Sequence, residues 1–289
     1  MQNLNKETVK NRGIYLLPNL FTTAGLFSGF YAVIASMNGH FEAAAIAIFV
    51  AMIFDGVDGR VARMTNTQSA FGAEYDSMAD MVSFGVAPAL IAYNWALADL
   101  GKVGWLAAFI YCAGAALRLA RFNTQVGVAD KRYFQGLASP AAAAIIAGAI
   151  WTGTYYEIEG QQVSILALLM TACAGLLMVS NFRYYSFKDY DWRGRVNFMV
   201  ILALVGLFVV VSVQPATILF IVFSLYALSG PIYTIRTVKK LKVSHVVGDE
   251  NDADITQETN TQETDTQEID TECEAKQTEQ DSEDADKKQ

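Results

Sequence analysis

Apolar runs of about twenty residues recur along this chain with only short polar breaks between them. A helix of that length crosses a bilayer, and in lipid only structures that satisfy their own backbone hydrogen bonds survive. Eight runs fit the pattern, at 19–37, 41–63, 77–97, 104–122, 140–156, 162–180, 197–213 and 216–234. The expected fold is therefore an all-α integral membrane protein, a polytopic bundle of about eight transmembrane helices. Composition enters as a check. Only 17% of the residues are charged and 53% are hydrophobic, against roughly 25% charged in soluble domains. A soluble enzyme, a nucleic-acid binder and a secreted disulfide scaffold all fit poorly.

Basic residues give the orientation, because they accumulate in cytoplasmic loops. Four turns alternate along the chain at 38–40, 98–103, 157–161 and 214–215, and together they hold one basic residue, Lys102. The opposite side holds 17, among them Lys6, Lys10, Arg12, Arg60, Arg63, Arg118, Arg121, Lys131, Arg132 and Arg236. Both termini are expected in the cytoplasm, and the asymmetry supports eight spans. The last pair could instead form one re-entrant hairpin. No cleavable signal sequence is expected at the polar N-terminus.

The net charge of −8 joins two unlike parts. Residues 1–248 carry 18 Lys/Arg against 13 Asp/Glu, whereas 249–289 carry 3 against 16. Apolar residues nearly vanish in that tail, and the triplets Thr256-Gln257-Glu258, Thr261-Gln262-Glu263 and Thr266-Gln267-Glu268 repeat. Such a segment buries too little surface to offset its ordering entropy. The expected organisation is a cytoplasmic segment 1–13, a transmembrane domain 14–245, and a disordered acidic cytoplasmic tail 246–289. Cys112, Cys173 and Cys273 form no framework. The aromatic and basic stretch Arg183 to Arg195 reads as an interfacial belt.

Four acids stand close together at the ends of apolar runs: Asp55, Asp58, Asp76 and Asp80. An aspartate at a helix centre costs about 2.5–3.5 kcal/mol on insertion, so four unpaired in lipid would cost roughly 10–14 kcal/mol. They must face a polar cavity or an ion. Asp55 and Asp58 are three apart, and Asp76 and Asp80 are four apart. Each pair thus shares a helix face, and the short connection between the runs makes the two helices antiparallel neighbours. Oxygen ligands without His or Cys suit Mg²⁺, Mn²⁺ or Ca²⁺, and a two-metal clamp on a phosphate is the natural use. Gly56 and Gly59 allow close backbone approach, and Arg60 and Arg63 can meet phosphate oxygens.

The run Asp55-x2-Asp58-Gly59-x2-Ala62-Arg63-x8-Gly72-x3-Asp76-x3-Asp80 resembles the signature of the CDP-alcohol phosphatidyltransferases, matching all eight fixed positions. The runs from Pro18-Asn19 to Gly29-Phe30, Asp80 to Ala89, Leu117 to Asn123, and Phe134 to Ala141 are similar to the members that accept serine. Ala138 stands where those have a proline. The resemblance spans about residues 12–235 and implies six core helices plus two. It implies a membrane enzyme that displaces CMP from CDP-diacylglycerol with L-serine, using Mg²⁺ or Mn²⁺, two ions in all. Asp55, Asp58 and Asp76 would hold the metals, with Asp80 sharing one and acting as catalytic base. Gly59, Ala62, Arg63 and Gly72, with Asn19 and Thr22, would serve the CDP-lipid. Arg118, Arg121, Asn123 and Ser83 would serve serine. A homodimer in the cell membrane, with its active site on the cytoplasmic side, completes the expectation. Neither His40 nor His245 begins an H-x-K-x4-D run, which disfavours a phosphohistidine intermediate. Two alternatives stay open: another acceptor, inositol phosphate or glycerol phosphate, and more remotely a cation transporter.

Overall fold

The computed structural model describes residues 2–65, 67, 69–125, 133–185, 202, 205, 206, 209 and 211–234. For residues 2–16, 125, 133–135, 183 and 185 the description is of the backbone alone. Most of the seventh apolar run, most of the aromatic and basic stretch, Lys131, Arg132, His245, Cys273 and the acidic tail lie outside the described residues. Everything described belongs to the unit Met1–Thr234.

The described chain is almost entirely helical. Helices α1 (Gln2–Met37) and α2 (Phe41–Met64) form a hairpin around the turn at Gly39, whose φ of 76° favours glycine. Next comes one continuous helical rod from Ala70 to Leu100. It comprises α3 (Ala70–Asp80), a π-helical turn at Met81–Val86, α4 (Ala87–Ala92), a second π-helical turn at Tyr93–Leu97 and a short 3₁₀ end. Helices α5 (Lys102–Gln125), α6 (Ser139–Tyr155) and α7 (Ser164–Val179) follow, and α8 runs over Pro215–Thr234. Two three-residue strands, β1 (Tyr133–Gln135) and β2 (Arg183–Tyr185), pair antiparallel, Tyr133 opposite Tyr185. They lie in connections between apolar runs, β2 at the start of the stretch read as an interfacial belt.

The core is built of small residues and the surface of large apolar ones. Ala141 to Ala144, Ile145, Ile146 and Ala147 of α6 are all buried, as are Ala44, Ala45 and Ala51 of α2. Phe27, Phe30, Ile53, Phe109, Leu117, Leu166 and Leu176 face outward. Water would penalise that arrangement and lipid does not; small residues let helix backbones approach closely in a bilayer. Gly114 of α5 meets the Gly175 backbone of α7, and a Cβ on Gly148 would sit 3.0 Å from Phe220 Cα of α8. Among the described residues, five helical segments are long and apolar enough to cross a membrane: Leu17–Met37, Ala70–Leu100, Lys102–Thr124, Gly160–Val179 and Pro215–Thr234. The protein is a multi-pass membrane protein. Of the remaining runs, α2 carries Glu42, Asp55, Asp58, Arg60 and Arg63, and α6 has 17 residues. The third helix begins at Ala70, before the run that starts at 77. Ser69 caps it, its Oγ accepting from the Gly72 N–H at 3.0 Å.

Candidate active site

The acids of α2 and α3 face one cavity. Its walls come from α1 (Thr22, Gly25, Leu26), α2 (Ala51, Asp55, Asp58) and α3 with the following π-helical turn (Asp76, Ala79, Asp80, Ser83, Phe84). One carboxylate oxygen from each of Asp55, Asp76 and Asp80 lies within 4.8 Å of the others. Two carboxylates sit so close only with a proton or a cation between them. Asp58 is buried, at 5% exposure, and its Oδ2 accepts from Thr22 Oγ1 at 2.9 Å. Three converging hard oxygen donors, with a fourth carboxylate beside them, fit a divalent ion of the Mg²⁺ or Mn²⁺ kind.

The π-helical turn after Asp80 shapes the floor of this cavity. Its extra residue per turn shifts the Ala87 N–H onto the Val82 carbonyl, and such turns collect at functional sites. The Phe84 carbonyl accepts from the fully buried Tyr111 hydroxyl at 3.0 Å. Ser83 Oγ donates to the Gly25 carbonyl at 3.1 Å, joining the turn to α1. Gly29 permits that contact, because a Cβ there would lie 2.7 Å from Ser83 Cα.

The exposed face of α2 is open among the described residues: none lies within 4 Å of where a Cβ on Gly56 or Gly59 would sit. The Gly59 carbonyl accepts from Arg63 Nε at 2.8 Å, so the exposed Arg63 folds back on its own helix. Arg60 is exposed and Ala62 half-buried. Gly72 lies beside Asn19, whose Oδ1 would be 3.4 Å from a Cβ there. Thr23 and Tyr75 join their hydroxyls at 2.9 Å across the same α1–α3 seam.

Three polar residues of α5 take different partners. Arg118 is half-buried; its Nη1 donates to Ser139 Oγ at 2.7 Å, and its charge acts on Asp80 and Asp55. Arg121 turns instead to Asn181, donating to its Oδ1 at 3.2 Å. Asn123 donates to Ser77 Oγ at 3.1 Å, one residue past Asp76. Sequence reasoning missed Ser139, Tyr111 and Tyr226, all of which surround Arg118. Ser139 carried a signal, since it opens the helix beginning Ser139-Pro140; the two tyrosines sit in apolar runs and carried none. Cys112 and Cys173 are free.

These features define a class first: a membrane-embedded helical protein whose carboxylates gather around one cavity. The chain belongs to the CDP-alcohol phosphatidyltransferase family, whose model matches residues 15–179. It is 36% identical over 219 residues to a CDP-diacylglycerol–serine O-phosphatidyltransferase of Helicobacter pylori, covering 76% of this chain and 91% of that protein. A protein of the same name from Methanocaldococcus jannaschii is 36% identical over 196 residues, 68% of this chain and 87% of its own. An archaetidylserine synthase of Methanothermobacter thermautotrophicus is 35% identical over 170 residues, 58% of this chain and 69% of its own.

Proposed function

We propose that this chain transfers the phosphatidyl group of CDP-diacylglycerol to the hydroxyl of L-serine, giving phosphatidylserine and CMP. The observation that carries the reading is the gathering of the motif carboxylates Asp55, Asp76 and Asp80 in one cavity. Relatives bearing that activity in their names match this chain over most of their length.

Asp55, Asp58, Asp76 and Asp80 would hold Mg²⁺ or Mn²⁺, two ions in all. Ions held by these residues would supply positive charge against the pyrophosphate and the departing CMP. Asp80 takes the proton of the serine hydroxyl as that oxygen forms its bond to the lipid-bearing phosphorus. The bond from that phosphorus to the CMP oxygen breaks. Thr22 holds Asp58 in place. The open face at Gly59, with Ala62, Arg63, Gly72 and Asn19, receives the nucleotide. Arg118 faces the acceptor, Ser83 fixes the cavity floor, and Arg121 and Asn123 brace the end of α5.

The same reading includes eight spans, both termini and the site on the cytoplasmic side of the cell membrane, and a homodimer. Support for the orientation comes from the distribution of 17 basic residues against one. The test is CMP release from CDP-diacylglycerol by purified protein with Mn²⁺ or Mg²⁺. Release that depends on both serine and metal is expected. Release that answers to inositol phosphate or glycerol phosphate instead would overturn the acceptor. Silence with every acceptor, from folded protein, would overturn the reaction.

A further inference from the structure

The family match ends at Val179, yet the chain beyond it returns to the site. Tyr184 of β2 is fully buried, and its hydroxyl donates to the Ala227 carbonyl of α8 at 3.0 Å. Gly230, one turn on, makes room for the Tyr184 ring, which a Cβ would strike. Burial pushes the Tyr184 phenol up to about 12, so it remains a neutral donor. Tyr226 adjoins Ala227, and its ring packs on that of Tyr184 with centroids 5.5 Å apart. It is half-buried, and it lies within electrostatic reach of Arg118. Arg118 is fixed on another side by Ser139 Oγ at 2.7 Å and acts on Asp80 and Asp55. The Arg118 charge thus interacts both with the motif carboxylates and with a phenol carried by α8.

A guanidinium offers five N–H donors in a fork suited to a carboxylate, and Ser139 occupies one nitrogen of it. A carboxylate entering beside Arg118 would meet that fork and a neutral O–H together. An acceptor without a carboxylate would leave both unmatched, and sites built to bond a substrate group reject analogues that lack it. We propose that Tyr226 determines acceptor specificity: its hydroxyl, held on α8 by Tyr184, donates together with Arg118 to the carboxylate of an amino-acid acceptor. The inference rests on the serine-transferase reading above and extends it to a helix outside the family-matched segment.

Tyr226→Phe keeps the ring and removes only the hydroxyl. CMP release is measured against serine, against CDP-diacylglycerol, and with ethanolamine, which has serine's hydroxyl and ammonium but no carboxylate. KM for serine should rise about tenfold or more, the loss expected for one hydrogen bond to a charged group. KM for CDP-diacylglycerol should stay put, and the preference for serine over ethanolamine should fall with the rise in serine KM. Tyr184→Phe, which frees α8 from its anchor, should shift serine KM in the same direction. A uniform drop in kcat, with serine KM and the preference intact, would make Tyr226 structural and overturn the inference. Wild-type protein separates the two levels. No serine-dependent release from wild type overturns the transferase reading itself; serine-dependent release with an unmoved KM in Tyr226→Phe overturns only the inference.

Discussion

Asp80 stands where ordinary helix gives way to the π-helical turn, and its neighbours there are other acids and Arg118. A carboxylate is a weak base for an alcohol, so its use depends on position, and general-base groups contribute about 10²- to 10⁴-fold. Asp80→Asn keeps the shape and removes the base. It should lower kcat for CMP release by about 10²-fold or more, in protein that still elutes as a single species in detergent. Thr22→Val tests the neighbouring contact, the 2.9 Å bond to Asp58. A hydrogen bond to a charged group is worth about 1.5–3 kcal/mol, so this variant should lose about tenfold to a hundredfold in activity and need more metal for half-maximal rate. An unchanged metal requirement would separate Thr22 from the carboxylate cluster.

At the scale of the element, close helix contacts do the work that large side chains do in soluble cores. Gly175 of α7 touches α5, and a Cβ there would stand 2.7 Å from Tyr111 Cα and 2.9 Å from the Ile110 carbonyl. Both neighbours are backbone atoms and cannot rotate away. Gly175→Ala should therefore lower the melting temperature in detergent, with an overpacking cost of about 1–3 kcal/mol. Gly206, with no described residue within 4 Å of its Cβ position, is the control. Gly206→Ala should leave the melting temperature level or raise it, since alanine favours helix by about 0.8–1 kcal/mol. Legibility in the sequence divides along the same line. The carboxylates at 55, 58, 76 and 80 were readable because charge in an apolar run is conspicuous and their spacing fixes a shared face. The π-helical turns were not, because one extra residue per turn leaves apolar periodicity nearly unchanged. The β1–β2 ribbon escaped as well: three residues are too few to display an alternating pattern. Tyr226 could not be linked to Arg118 from sequence, because contacts distant in the chain, between Gly148 and Phe220 and between Tyr184 and Ala227, bring α8 to that point.

For the whole molecule, the hairpin of α1 and α2 sets up the sidedness of the reaction. The turn at Asn38, Gly39 and His40 lies at one end of α2, and Asp55, Asp58 and Arg63 lie toward the other. If the basic residues place the second end in the cytoplasm, the acids open toward the side where soluble serine and CMP reside. That links topology to chemistry, because a site on the opposite face would release its nucleotide outside the cell. The link is testable in protein whose native cysteines are replaced by alanine. Asn38 and Thr65 are both exposed, one at the turn and one just past α2. In intact cells an impermeant maleimide should label Asn38→Cys and spare Thr65→Cys, and inverted vesicles should reverse the pattern. Labelling of both from one side would mean that α2 does not cross. The acids would then sit in a helix lying along the interface, and the alternation of basic loops would need a different explanation. With α2 crossing, the clustered carboxylates all come from helices that span the bilayer, and the proposed CDP-lipid would present its pyrophosphate to them while its acyl chains stay among the outward-facing Phe and Leu side chains.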